Sequence, residues 1–374
     1  MKNRLLSFLL VYLLLLAIAT TGCGTAQSNI NRICMPQGFK ISVYANGIEG
    51  ARSLTLADNG VVFVGSRSEG RIYALVDKTG DGEKVEVLTI ASNLDTPNGV
   101  AFHNGSLYVA EISRILRYDN ILDNLNQPKP PVVVYDMLPK ERHHGWKFIG
   151  IGPDEKLYVP VGAPCNICYS EDERFASIMR MNLDGSEAEV FAHGVRNTVG
   201  FDWHPLSGEL YFTDNGRDWL GDDLPPDELN HAPIKGMHFG YPYYYGDNLA
   251  DPEFKEQPPI SSITTPAMKL GAHVAPLGMR FYTGKMFPDE YRNQIFIAEH
   301  GSWNRTSLAG YQVILVRLQD GKPISQEVFA QGWLNSPVPW GRPVDVLVMA
   351  DGALLVSDDR ANAVYRISYD GKKD

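Results

Sequence analysis

Short apolar runs, separated by turns rich in Gly, Asp and Asn, follow one another along most of the chain. Within these runs apolar and polar positions alternate, which is typical of β-strands that bury one face. One unit recurs: an apolar strand, a Gly/Asp turn, and a second strand that often ends in small or acidic residues. Its six copies begin at Ser53, Gly99, Phe148, Val199, Leu277 and Val344.

The spacing of the copies predicts the fold. They start about 45 to 80 residues apart, the length of a propeller blade with insertions. We therefore predict an all-β protein, a six-bladed β-propeller. A propeller must close, so we expect the strand from Phe39 to Tyr44 to pair beside Ala363–Ile367 in the last blade. The alternative is a pair of β-sandwiches, but the repeated strand–turn–strand unit favours the propeller.

The N-terminus has the layout of a secretory signal peptide. Lys2 and Arg4 precede an apolar run over residues 5–19, and Gly22-Cys23 follows, as in a bacterial lipobox. We expect a lipoprotein-type signal at 1–22, a short tether at 23–35 and the propeller at 36–374. Lipid on Cys23 would attach an exported, periplasmic or cell-envelope protein to a membrane. The alternative is an ordinary signal peptide with Cys23 incidental.

The net charge and the cysteine content limit the partners and the metal sites that the chain can have. A formal net charge of −10 argues against a nucleic-acid partner. Cys165 and Cys168 suit a short-loop disulfide in an oxidising compartment. A zinc site would need a second pair of ligands at similar spacing, and the sequence has none.

Several blades have unusual polar residues at the starts of their inner strands. Blade three has His143 and His144, and an imidazole there can take a proton from a hydroxyl group. Blade four has Arg196 and Asn197, which suit a planar carboxylate ligand. The alternatives are a structural histidine pair and a salt bridge between blades.

Three arginines on separate loops, Arg196, Arg305 and Arg342, predict an anion cradle at one mouth of the channel. The loop over residues 213–230 is rich in oxygen ligands that suit Ca²⁺, although a solvated acidic loop is the simpler interpretation.

The ordered set of these motifs resembles the soluble sugar dehydrogenases that depend on pyrroloquinoline quinone (PQQ), and the sorbosone-dehydrogenase branch in particular. The resemblance covers nearly the whole mature chain in the same blade order. It is carried by the His-His-Gly-Trp-Lys-Phe, Gly-Val-Arg-Asn, Asp-Asn-Gly-Arg, Asp-Glu-Leu-Asn and Gly-Arg-Pro-Val-Asp segments that begin at residues 143, 194, 214, 227 and 341.

The resemblance implies a sugar substrate, PQQ and Ca²⁺ at the channel mouth, and an external electron acceptor such as a quinone or cytochrome. A His base would take the proton of the anomeric hydroxyl while hydride passes to the quinone. Alignment from Lys147 and Phe148 puts this base at His143, with His144 one residue away. The resemblance further assigns PQQ contacts to Arg196, Asn197 and Arg342, and Ca²⁺-binding carbonyls to Gly216 and Arg217.

Several family positions differ in this chain. The acid that orients the His of the glucose enzymes falls at Ala163, and a cofactor-contacting Gln is replaced by Asn98. The cofactor Lys falls near His300, with Arg305 as the alternative, and a second cofactor Arg falls at Val344. Two other functions stay open: a Ca²⁺-dependent lactonase, which would need channel carboxylates and no arginine cradle, and a non-catalytic binding propeller.

Overall fold

The computed structural model describes residues 26–254 and 262–371, which are mostly β-strands. The predicted signal peptide and Cys23 lie outside these residues. Six antiparallel sheets form the blades of a propeller, and the chain visits them in sequence order. The predicted six-bladed β-propeller is confirmed.

Each blade has four main strands, named in order from the innermost outward. Blade 1 contains Leu54–Leu56, Val62–Val64, Ile72–Asp77 and Val85–Ala91. Blade 2 contains Gly99–His103, Ser106–Ala110, Ile115–Tyr118 and Val132–Tyr135. Blade 3 contains Gly150–Ile151, Leu157–Val161, Ser177–Met181 and Glu189–His193, with Met237–His238 added in parallel at its outer edge.

Blade 4 contains Phe201–Trp203, Leu210–Asp214, Pro226–Ala232 and Met268–Ala272. Blade 5 contains Pro276–Phe281, Ile295–Glu299, Gln312–Gln319 and Lys322–Gln331. Blade 6 contains Pro343–Val348, Leu354–Asp358, Ala363–Tyr369 and Phe39–Asn46. Two small ribbons pair Tyr244–Tyr245 with Leu249–Ala250 and Leu334–Asn335 with Val338–Pro339.

Blade 6 is completed by both ends of the described chain. Its outermost strand, Phe39–Asn46, runs antiparallel to Ala363–Tyr369, with Phe39 opposite Tyr369. The predicted closure is therefore confirmed. Pairing the N-terminal strand with the last strand removes the open edges that would otherwise remain at the two ends of the ring.

Helices are short in the described part of the chain. They are the α-turn Ala26–Asn29 and three single 3₁₀ turns at Ile30–Arg32, Ile121–Asp123 and Asp289–Tyr291. No helix among the described residues has the length and apolar character needed to cross a membrane. Residues 26–35 of the predicted tether pack on the propeller: Ala26 and Ile30 are buried, and Cys34 exchanges backbone hydrogen bonds with Gln331.

The core lies between the blades. Each of the six main apolar clusters contains residues of two neighbouring blades, and the cluster shared by blades 6 and 1 completes the ring. Strand alternation produces this arrangement, because Val62 and Val64 face blade 6 while Phe63, between them, faces blade 2.

Candidate functional site

The strand order of each blade brings two loop positions to the same rim. Inner and second strands are antiparallel, so the start of one lies beside the end of the other: Leu54 pairs with Val64, and Pro343 with Asp358. Residues that precede an inner strand therefore meet residues that follow a second strand, in all six blades.

A cavity of about 440 Å³ lies at this rim, within the usual range for small-molecule sites. Its wall is unusually rich in cations and imidazoles for a chain with a net charge of −10. The lining includes Arg52, Arg67, Arg142, His143, His144, Trp146, Arg196, Asn197, Asn215, Gly216, Asp218, Asp227, His273, His300, Trp303 and Arg342.

Arg196 and Arg342 line this one cavity, and each is held by protein oxygens. The Arg342 guanidinium donates to the carbonyls of His300 and Gly301. Arg196, which is 3% exposed, donates to the carbonyls of Asn166 and Asn215 and to the Asn166 side chain at 2.8 Å. Carbonyl partners orient a guanidinium without neutralising it, and Arg196 also lies 3.5 Å from the Asp218 carboxylate.

The loop that holds Arg196 is closed by a disulfide between Cys165 and Cys168, with Cα atoms 6.1 Å apart. The disulfide expected from the sequence is therefore present. Asn166 lies inside this four-residue loop, so the cross-link restrains the residue that orients Arg196. Cys34 is free and exposed.

Two arginines that the sequence analysis did not select also line the cavity. Arg52 is 2% exposed, donates to Asn98 at 2.9 Å and forms an ion pair with Asp359 at 2.9 Å. The Arg67 guanidinium lies 4.1 Å from the ring centre of Trp146. Burial, reinforced by the charge of Arg52, lowers the pKa of Arg67 to about 10, so Arg67 is still a cation near neutral pH.

The two neighbouring histidines differ in environment. His143 is exposed at the surface of the cavity. Partial desolvation of its ring, and then the charge of Arg196, lower its pKa. His144 is buried, its ring centre lies 4.1 Å from that of His143, and its Nδ1 atom is 2.9 Å from the Ala163 carbonyl oxygen. Burial first, then Arg196, lowers the pKa of His144 to about 2. A carbonyl only accepts, so Nδ1 carries the proton and the lone pair is on Nε2.

His300 bridges two of the arginines. Its Nε2 atom is 2.9 Å from the Asp359 carboxylate, which also binds Arg52, and its carbonyl accepts from Arg342. Burial lowers the pKa of His300 to about 4 although Asp359 opposes the shift. Burial raises the pKa of Asp359, but the contacts of this carboxylate with His300 and Arg52 outweigh burial and hold the pKa below its usual range. This part of the wall is a connected network of charged and polar groups.

Four buried carboxyl groups come from strands next to the cavity, and one of them, Asp227, also lines it. Asp214, Asp227, Glu228 and Glu299 each have a pKa raised to about 7, chiefly by burial, and repulsion between them contributes. Asp214 accepts hydrogen bonds from the backbone N–H groups of Arg196 and Asn197, and Asp227 accepts from that of Gly216. The carboxyl groups of Asp214 and Asp227 therefore fix the backbone from which these cavity residues project.

Seven of the residues selected from the sequence line the cavity together: His143, His144, Arg196, Asn197, Gly216, His300 and Arg342.

Three others point elsewhere. Asn98 is fully buried, and its side chain joins Arg52, Ser53 and the Lys147 carbonyl. The Arg217 side chain pairs with Asp251 and Glu253, which leaves its backbone carbonyl as the only group it could offer a cation.

Arg305 is the third residue outside the lining. It binds the Asp222 carbonyl and the Asp223 carboxylate and so ties two loops together. The side chains of Asn98 and Arg305 thus support the cavity from outside.

The position of Arg52 in the chain could have identified it as a residue of the cavity. It lies just before the inner strand of blade 1, which begins at Leu54, as Arg342 lies just before that of blade 6. Arg67 lies in the loop that follows the second strand of blade 1, as His300 follows that of blade 5.

Residues 114–366 match the family model described as Glucose / Sorbosone dehydrogenase. The chain belongs to the glucose/sorbosone dehydrogenase family. It is 33% identical over 385 residues to an uncharacterized protein of Borreliella burgdorferi (strain ATCC 35210 / DSM 4680 / CIP 102532 / B31), covering 99% of this chain and all of that one.

Solved structures with the same fold include the holo form of the pyranose dehydrogenase PQQ domain from Coprinopsis cinerea, with a TM-score of 0.75 and 19% identity over 90% of this chain and 97% of that chain. The PQQ-bound aldose sugar dehydrogenase from Streptomyces coelicolor has a TM-score of 0.65 and 19% identity over 90% of this chain and 100% of that chain. Membership of the glucose/sorbosone dehydrogenase family gives the cavity a chemical context.

Proposed function

We propose that this protein is a PQQ-dependent dehydrogenase that oxidises the anomeric hydroxyl of aldose sugars, or a related aldehyde such as sorbosone. The observation that carries the proposal is the convergence of Arg52, Arg67, Arg196 and Arg342 on one cavity beside two imidazoles. Arg52 and Arg196 each lie near one carboxylate, and the positive charge that remains in this wall of an acidic protein favours a polyanionic ligand.

The cavity residues fit PQQ, a flat tricarboxylate. Guanidinium groups form bidentate pairs with carboxylates. Trp146, which contacts Arg67, offers an aromatic face. Among the described residues no group of three His, Cys, Asp or Glu side chains is arranged to hold a metal. Ca²⁺ would therefore rest on oxygens such as the carbonyls of Gly216 and Arg217 and on the cofactor. Bound PQQ supplies two-electron oxidation, which Ca²⁺ assists as a Lewis acid.

His144 is the residue we assign as general base. Alignment alone favoured His143, but the contact between His144 and Ala163 supports the neighbouring residue. Ala163 stands where the glucose enzymes have the acid that orients their base, and here its backbone carbonyl holds Nδ1 of His144. The lone pair on Nε2 can then take the proton of the sugar hydroxyl. An anion beside Arg196 would offset one cause of the lowered pKa of His144.

The proposal is tested by dye reduction. Protein prepared without residues 1–22 is mixed with PQQ and CaCl₂, and reduction of an artificial acceptor is followed with a panel of aldoses. Activity that requires sugar, PQQ and Ca²⁺ together supports the proposal. An unchanged PQQ absorption spectrum on mixing would end it.

Export and membrane attachment through lipid on Cys23 are part of the same proposal, because they would bring the enzyme to an external quinone or cytochrome acceptor. Cys23→Ser should abolish incorporation of labelled fatty acid and release the protein from membranes. Labelling that persists in this variant would refute the anchor.

A further inference from the structure

Two indole side chains stand exposed beside the cavity. Trp219 is 67% exposed and Trp303 is 63% exposed, and their ring centres lie 5.5 Å apart at an interplanar angle of 81°. Trp303 also lines the cavity. Exposing two tryptophans leaves a large apolar area in water, and exposed apolar surface next to a cavity commonly marks a ligand site.

The pair is held in place by the loops that carry it. Thr306, on the Trp303 loop, donates its backbone N–H to Asp222 on the Trp219 loop at 3.0 Å, and Arg305 binds Asp222 and Asp223. Trp219 itself has a φ of 72°, a backbone conformation that large side chains seldom adopt. The surrounding hydrogen bonds maintain it, so the indoles are preorganised for a ligand.

The loop that carries Trp219 also carries hydrogen-bond acceptors. Asp218 lines the cavity beside Trp219, and its carboxylate lies 3.5 Å from Arg196 and 3.5 Å from the Asn304 amide. The carboxylate of Asp223 is 87% exposed on the same loop. Carboxylates accept hydrogen bonds and do not donate them, so they suit hydroxyl groups and repel anions. A quinone has only acceptor oxygens, so it cannot form hydrogen bonds with these carboxylates.

We propose that Trp219 and Trp303 form a second saccharide subsite, which stacks on the sugar ring next to the one that reacts. The C–H face of a pyranose would lie on indole while its hydroxyl groups donate to Asp218 and Asp223. This inference rests on the proposed function and deepens it: the substrates are oligosaccharides, oxidised at the reducing end, rather than free monosaccharides.

Binding is tested first without PQQ. Methyl maltoside and methyl cellobioside, whose anomeric hydroxyls are blocked, are titrated by calorimetry and by tryptophan fluorescence, with methyl glucoside for comparison. At least one disaccharide should bind about three- to tenfold more tightly than methyl glucoside, the range for one aromatic stacking contact. If neither does, the subsite is refuted, whatever the enzyme's activity.

The variants Trp219→Ala and Trp303→Ala should remove that preference, and Trp303→Phe should retain part of it. Tyr169→Ala is the matched control, because Tyr169 is a 62% exposed aromatic residue outside the cavity lining. With PQQ and Ca²⁺, Trp219→Ala, which changes the indole outside the cavity lining, should raise KM for disaccharides about three- to tenfold and leave glucose kinetics unchanged.

Equal losses on glucose and disaccharides in Trp219→Ala would overturn the subsite while leaving the dehydrogenase intact. Tight glycoside binding without any PQQ-dependent activity would support the saccharide subsite and refute the proposed dehydrogenase.

Discussion

The Nδ1 atom of His144 lies 2.9 Å from the carbonyl oxygen of Ala163, so a backbone carbonyl holds this ring where a side-chain acid could have done so. A carbonyl fixes the tautomer as an acid would, but it brings no negative charge to stabilise the protonated imidazole. His144 therefore depends more on its other neighbours, above all on the charge balance around Arg196.

We expect His144→Ala to lower kcat by about 10²- to 10⁴-fold, the usual contribution of a general base. PQQ affinity, measured by absorbance titration, should change little. His143→Ala is the paired comparison, and it should lower kcat by less than tenfold. The reverse ranking of the two variants would move the base to His143.

Arg196→Gln and Arg342→Gln should each weaken PQQ binding by about 10- to 100-fold, since each removes one charge-assisted contact with a carboxylate. Equilibrium dialysis against PQQ measures the change. Arg317→Gln is the control, because Arg317 pairs with Glu327 on the outer strands of blade 5. Equal affinity in all three variants would exclude the arginine cradle.

The disulfide loop should act on the cofactor through Arg196. Replacing Cys165 and Cys168 together by Ser frees Asn166, whose two oxygens hold that guanidinium. We expect PQQ affinity between that of the wild type and that of Arg196→Gln. Cys34→Ser, at the exposed free thiol, should have no effect. Wild-type affinity in the double variant would show that the loop is rigid without its cross-link.

Burial of Glu299 predicts a pH dependence of stability. Its pKa is raised to about 7, chiefly by burial, so the folded state keeps a proton that the unfolded state loses at lower pH. The stabilisation is complete below the ordinary Glu pKa and is lost as pH rises through about 7. Buried histidines with lowered pKa values oppose this trend below pH about 6.5, so the contribution of Glu299 is clearest from there to just above pH 7, where its titration ends.

In that window the free energy of unfolding of the cofactor-free protein should fall with pH, by up to about 1.4 kcal/mol per pH unit for each proton released. Urea unfolding at a series of pH values measures the slope. Glu299→Gln, which mimics the protonated acid, should give a shallower slope, and exposed Glu155→Gln should match the wild type. An identical slope in Glu299→Gln would mean that Glu299 is ionised at neutral pH.

The fold was predictable because its signals are local and repeated. Alternation in runs such as Phe39–Asn46 specifies strands, and six copies specify six blades. The closing strand could be inferred because an open ring is unfavourable. Arg196 and Arg342 could be grouped because both precede inner strands, and strand order alone brings such positions together.

Other features of the site depend on tertiary contacts that no motif reports. Asn98 has a suitable residue type, but burial directs its amide to Arg52. Asn166 acts partly through its backbone carbonyl, and Ala163 wholly so, and any residue type could provide such a group. Arg67 becomes part of the site because its loop returns over Trp146, which sequence spacing does not encode.

The pairing of Phe39–Asn46 with Ala363–Tyr369 has a consequence for biogenesis. The first strand to be synthesised must wait for nearly the whole polypeptide before its partner emerges. Contacts so distant along the chain form slowly. Until Phe39–Asn46 has paired, blade 6, which carries Arg342, is incomplete. We therefore expect capture of the proposed cofactor to be among the last events of maturation.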